Sequence, residues 1–121
     1  MTNEPIVEVN TIDDVIVVSL KQASIGGIEG IEKIGATLRG FVGDGQPKKL
    51  VIDFSSVSFF SSQMLGLLVD IWRRMKDAGG TLLISGINPQ LTRVFRITHL
   101  DKIFEFYEDI RTAVSALRAS E

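Results

Sequence analysis

Between Leu50 and Gly66 the sequence LVIDFSSVSFFSSQMLG changes its period from that of a strand to that of a helix within a few residues. Leu50, Val51, Ile52 and Phe54 form a short β-rich run of the kind a central parallel strand requires, interrupted by Asp53 and closed by Ser55 and Ser56. From Met64 onward, Met64, Leu67, Leu68, Ile71, Trp72 and Met75 fall at spacings that wrap one stripe of a helix. The helix therefore starts near Ser61 or Ser62, and either hydroxyl can accept a hydrogen bond from a free N–H of the first turn. The same position, on a loop leaving the carboxyl end of a strand, is one where aligned amide dipoles favour an anion, so a serine there suits a phosphate. A strand, loop and helix in this order place any binding chemistry at the loop, because open α/β sheets meet their ligands at the carboxyl ends of their strands.

The rest of the chain repeats the alternation. Ile6, Val7 and Val9, then Val15 to Leu20, are two β-rich runs separated by Thr11, Ile12, Asp13 and Asp14, which favours an antiparallel hairpin. KQASIGGIEG loses the alternation, and Gly26, Gly27 and Gly30 predict a flexible loop with a late or frayed helix start. Ile28, Ile31, Ile34, Leu38 and Phe41 then mark one apolar helix face, ended by Gly43, Asp44, Gly45 and Pro47. The next helix runs to Ala78 and closes at Gly79 and Gly80, ahead of a strand over Thr81 to Ser85. Asn88 and Pro89 open a short helix carrying Leu91, Val94, Phe95 and Ile97, which His99 and Leu100 end. Ile103, Phe104, Phe106 and Tyr107 suggest a last strand, and Asp109 caps a terminal helix with Ile110, Ala113, Val114 and Leu117.

The order β, β, α, β, α, β, α, β, α predicts an α/β fold, with a mixed sheet of four to five strands and about four helices. The strand Leu50 to Phe54 belongs at its centre, with Phe59, Phe60, Ser61, Ser62 and Gln63 at that strand's carboxyl end, and in so small a domain helices can cover as little as one face of the sheet. Helix Ser62 to Ala78 packs through Leu68, Ile71 and Met75, leaving Gly66 on its polar side.

Composition narrows the function classes. A chain of 121 residues fits a single domain, 1–121, able to bury roughly two-thirds of its unfolded surface. Thirteen basic residues against fifteen acidic ones, with no basic run longer than a pair, argue against a surface that tracks nucleic-acid phosphates. The absence of cysteine removes disulfides and thiolate chemistry, and one histidine cannot build a His-rich metal cage. No apolar stretch approaches the roughly 20 residues a bilayer span needs, and MTNEPIVEVN has no signal-peptide character, so a cytoplasmic protein without membrane insertion is expected.

Catalytic motifs are missing. His99 reads as a helix C-terminal residue and not as a base for the serines, and Ser61 and Ser62 lack the glycines of a G-x-S-x-G elbow. GGIEG has neither dinucleotide nor P-loop spacing, and Asp53 reads as a hydrogen-bonded structural acid. No enzymatic activity and no cofactor are expected.

The segment KLVIDFSSVSFFSSQMLGLLVDIWRRMKDAGGTLLISGINPQLTRVFRITHLDKIF resembles the STAS domains of bacterial anti-sigma factor antagonists, and the similarity covers about residues 6 to 118. It includes the strand ending in Asp-hydrophobic-Ser, the serine at the helix start, a Leu-Gly pair one turn on, the Gly-Gly before the next strand and a Pro-initiated helix leading to Leu-Asp-Lys-Ile-Phe. The resemblance implies a domain that binds an anti-sigma factor which is also a protein kinase, and so frees the sigma factor. In that family, phosphorylation of one serine in an Asp-Ser-Ser-Gly motif releases the domain, and a serine phosphatase resets it. Matched to this chain, the family aspartate falls on Ser61, the phosphorylated serine on Ser62, the second serine on Gln63 and the glycine on Met64. An acidic residue that the family often places after its second strand has no clear equivalent in KQASIGG.

On this resemblance the partner-binding residues are Phe59, Phe60, Ser61, Ser62, Gln63, Met64 and Gly66, with Ser62 as the modified one. Other STAS domains act as scaffold subunits of stress-signalling or lipid-transport complexes, or as regulatory tails of anion transporters, and there the two serines would serve only as caps. A third class, small-ligand or nucleotide binding at the sheet edge, has no residue pattern behind it.

Overall fold

The computed structural model describes residues 6–42 and 48–119. Strands β1 (Val7–Ile12) and β2 (Val15–Leu20) form an antiparallel hairpin, with Val7 opposite Leu20 and Ile12 opposite Val15. The turn is two residues, shorter than the four-residue break expected, because Asp13 and Asp14 both take positive φ, 49° and 68°, a geometry that matches strand twist and that aspartate tolerates. After β2 comes a two-residue strand, β3 (Ser24–Ile25), and helix α1 (Ile28–Val42) follows without the predicted late start, with Gly30 inside it. The helix stop expected at Gly43, Asp44, Gly45 and Pro47 lies outside the described residues.

Strand β4 (Lys49–Asp53), the two-residue strand β5 (Phe59–Phe60) and helix α2 (Ser62–Asp77) come next. Ala78 caps α2, and Gly79, at φ 78°, supplies the left-handed residue that ends it. Strand β6 (Thr81–Ser85) leads to helix α3 (Pro89–Ile97), a 3-10 turn at Leu100–Lys102, strand β7 (Glu105–Tyr107) and helix α4 (Ile110–Ala119). Ile103 and Phe104 thus precede the last strand and do not belong to it.

The main sheet has five strands in the order β1-β2-β4-β6-β7, parallel except for the first pair, so β4 is central as its apolar run requires. One face carries Val18, Leu20, Leu50, Ile52, Leu82 and Ile84 against α1, α2 and α3, and the other carries Val15, Val17, Val51 and Leu83 against Ala113, Val114 and Leu117 of α4. Helices therefore cover both faces. The α2 stripe packs as its spacing predicts, with Met64, Leu68 and Ile71 fully buried, and Leu65 joins them. Leu68→Ala is expected to lose about 2–5 kcal/mol, measured by urea unfolding, since it removes a core side chain and leaves a cavity. A loss near zero would place the wrong face of α2 inside.

Ile28 departs from the α1 pattern and is 67% exposed, as is Ile97 of α3 at 69%. Both are terminal residues of their helices.

At the start of α4 the Asp109 carboxylate accepts from the Thr112 backbone N–H and hydroxyl, at 2.8 and 2.7 Å. The backbone bond is the main reason its pKa is lowered below the ordinary aspartate value. A carboxyl that binds its proton less tightly when folded stabilises the fold above its unfolded pKa, about 3.9, and that contribution disappears as pH falls through the lower folded value. Asp109→Asn keeps a capping oxygen and loses the charge. It is therefore expected to lower stability at pH 7 and to leave it unchanged at low pH, which flattens the acid limb of a stability–pH profile, and an unchanged acid limb would contradict this role.

Candidate partner-binding site

The loop between β4 and α2 is held from three directions. Ala23 O accepts from Ser58 N and Phe59 N, and Ile25 O accepts from Ser61 N at 2.9 Å, so β3 and β5 run parallel with Ser24 opposite Phe59 and Ile25 opposite Phe60. On the other side the Asn88 side chain donates to Val57 O at 3.2 Å while its oxygen caps α3 by accepting from Leu91 N. From beneath, Phe54 N donates to Ser85 O, and the buried Asp53 carboxylate accepts from the hydroxyls of Ser55 and Ser85, each at 2.8 Å. This resolves Asp53 as a structural acid with satisfied oxygens, tying the exits of β4 and β6 together. Gly86 completes the tie: its φ is 72°, and a Cβ there would meet Ser55 Oγ and come within 2.9 Å of Asp53 Oδ1.

What this frame presents is unequal. Phe59 is 59% exposed, and Ser62, Gln63 and Gly66 are exposed one turn apart on α2. A Cβ on Gly66 would meet nothing within 4 Å, so its backbone lies bare at the surface. Phe60 and Met64 are corrections to the expected surface: both are core residues, 5% and 0% exposed. Two consecutive residues of a strand point to opposite sides, so with Phe59 outward Phe60 turns in, against Phe54 and Phe95 at ring-centroid distances of 5.8 and 5.9 Å.

The serines also separate. Ser61 is the N-cap residue by backbone geometry, with φ −80° and ψ 165°, yet its hydroxyl makes no capping bond. Ser61 Oγ is instead buried with no hydrogen-bond partner among the described residues, on the side where Gly26 approaches. Ser62 is exposed at the first helical position, beside its own amide and that of Gln63, while Met64 N donates to Ser61 O at 3.0 Å. Residues that the sequence reading does not assign to the site border the same surface: Gly26, Gly27 and Ile28, all exposed, reach it through the β3–β5 pairing.

His99 is exposed in the left-handed region at φ 63°, its N–H donates to Arg96 O, and its side chain forms no hydrogen bond among the described residues. Among the described residues no group of His, Asp and Glu is placed to hold a metal ion, and no helix is long and apolar enough to cross a membrane.

A mixed five-stranded sheet with a short loop strand leading into a helix, and an exposed aromatic at that junction, defines an α/β domain with a surface to offer. The STAS domain profile matches residues 7–113, and the chain belongs to the STAS domain family. Relatives bear the name anti-sigma factor antagonist. A candidate antagonist of Thermotoga maritima is 30% identical over 70 residues, 58% of this chain and 62% of that relative, so the chain aligns with less than two thirds of its length. The crystal structure of an anti-sigma factor antagonist from Mycobacterium paratuberculosis is 28% identical, with a TM-score of 0.79 over 93% of this chain and 92% of that one. An anti-sigma factor antagonist (STAS) domain protein from Planctomyces limnophilus is 27% identical, with a TM-score of 0.81 over 91% and 95%.

Proposed function

We propose that this protein is an anti-sigma factor antagonist that binds an anti-sigma factor with serine kinase activity and thereby releases the sigma factor, and that it catalyses no reaction itself. The observation that carries the reading is the exposed Phe59 next to Ser62, Gln63 and the bare backbone of Gly66, on a loop pinned by β3, Asn88 and Asp53. An exposed aromatic on a rigid frame is what a protein partner buries at low entropic cost. The working compartment is the cytoplasm, and a serine phosphatase closes the cycle.

Ser62 is the switch in this reading, and Ser61 is not. The Ser62 hydroxyl is open to a kinase, whereas Ser61 Oγ is buried. A phosphate on Ser62 adds about −1.5 to −2 charges where free amides and the helix dipole stabilise it, so the fold survives. The complex does not, because that charge would be desolvated beside Phe59 in the bound state, weakening it by a few kcal/mol. The expected pattern is loss of partner binding in Ser62→Asp, loss of phosphate incorporation in Ser62→Ala, and both retained in Ser61→Ala. Unchanged binding by Ser62→Asp together with phosphate still entering Ser62→Ala would leave Ser62 a first-turn residue only.

A scaffold role without phosphorylation is the second reading, and a specific feature favours it: the positions matching the family motif hold Ser61, Gln63 and Met64, and Met64 is fully buried. It predicts normal partner binding and no phosphate on any serine.

A further inference from the structure

We propose that α3 is a second half of the docking surface, and that its two arginines receive a carboxylate-bearing strip of the partner; this rests on the anti-sigma factor reading above. Arg93 and Arg96 lie one turn apart on the exposed side of α3 and have no ion-pair partner among the described residues, while Glu8–Lys21, Asp70–Arg74 and Asp13–Arg118 are paired elsewhere on the surface. The helix PQLTRVFRI contains no acidic residue, on a chain whose net charge is −2. With Ile87, Pro89 and Thr92 the two arginines line an open depression of about 440 Å³.

The depression belongs to the same rigid unit as Phe59. Asn88, the cap of α3, holds Val57 O at 3.2 Å, two residues before Phe59, and Phe95 of α3 meets Phe60 edge to face at 5.9 Å. Asn88 thereby seats the start of α3 beside the loop that carries Phe59. Guanidinium groups without a carboxylate of their own match carboxylates in bidentate geometry. The start of α1, joined to the site by the β3–β5 pairing, exposes Glu29 and Glu32 with Lys33 beside them, so it lacks the unbalanced positive charge of α3. A cationic surface meeting a carboxylate-bearing one raises the association rate at low salt.

The test measures association of the purified anti-sigma kinase with the full chain by stopped flow, at about 50 mM and about 500 mM salt, where screening differs several-fold. Arg93→Ala/Arg96→Ala is expected to slow association about tenfold at low salt, to flatten its salt dependence and to leave the melting temperature unchanged. Gly66→Arg, on the other half of the surface, is expected to abolish binding at both salts. If Gly66→Arg abolishes binding and the arginine pair changes neither rate nor salt dependence, the inference is overturned and the antagonist reading stands. Failure of the wild-type protein to bind the kinase overturns both. Competition by inorganic phosphate, beyond that of chloride at equal ionic strength, would assign the depression to a phosphoryl group and overturn the carboxylate assignment.

Discussion

Phe95→Ala is expected to destabilise the protein by about 3–5 kcal/mol, a large part of the roughly 5–15 kcal/mol that holds a domain together. Phe95 is fully buried and stands at the meeting point of three other rings, with centroid distances of 5.9 Å to Phe60, 5.8 Å to Phe104 and 5.0 Å to Phe106, all edge to face. Such pairs add roughly 0.5–1.5 kcal/mol each beyond the area they bury, and truncation removes all three together with the transfer term of the ring. The cavity would open where Phe60 of β5, Phe104 and Phe106 of β7 meet the ring. Because Phe60 is the inward neighbour of Phe59, the same substitution should loosen the candidate site before the sheet unfolds. Urea unfolding gives the stability, and amide exchange at Phe59 and Phe60 gives the local effect. A loss below about 1 kcal/mol would mean that the rings repack around the gap.

Gly66→Arg is the second large effect, and it separates binding from folding. Gly66 lies on the exposed face of α2, where an added Cβ meets nothing within 4 Å and the backbone φ does not lie in the left-handed region. Arginine is a better helix former than glycine by roughly 0.5–1 kcal/mol in a helix interior, so the variant should be as stable as the wild type or slightly more so. At the partner surface the outcome reverses. A long cation would stand one turn beyond Ser62 and Gln63, next to the bare helix backbone that lets another chain approach closely. Loss of partner capture with an equal or higher melting temperature is the expected pair of results. Capture at wild-type strength would move the docking surface away from α2.

The parts of this molecule that were readable in advance are those whose side chains repeat over a turn of helix or several strand residues. Strands β2 and β6 fall on their apolar runs, and α2 begins and ends at the serine and glycine pairs that mark its boundaries. Strands β3 and β5 have two residues each, too few for a period, yet their pairing holds the loop that carries Phe59. Missing that pair had direct consequences. Without it the alternation of Phe59 out and Phe60 in was not visible, and Gly26, Gly27 and Ile28 looked unrelated to the site. Met64 was legible as core from its place in the α2 stripe, and its match to a family motif position drew it wrongly toward the surface. Asp53 and Gly86 depend on each other across neighbouring strand exits, 33 positions apart in the sequence, and no local pattern reports such a tie.

Amide hydrogen exchange of the protein with and without its purified anti-sigma kinase tests most directly where a partner docks. The account predicts that protection on binding is concentrated in the amides from Phe59 to Gly66, extends to Gly26–Ile28 and α3, and vanishes in Ser62→Asp. Protection confined to α4 or to the outer edge of β1, with Phe59 to Gly66 exchanging as freely as in the unbound protein, would contradict it.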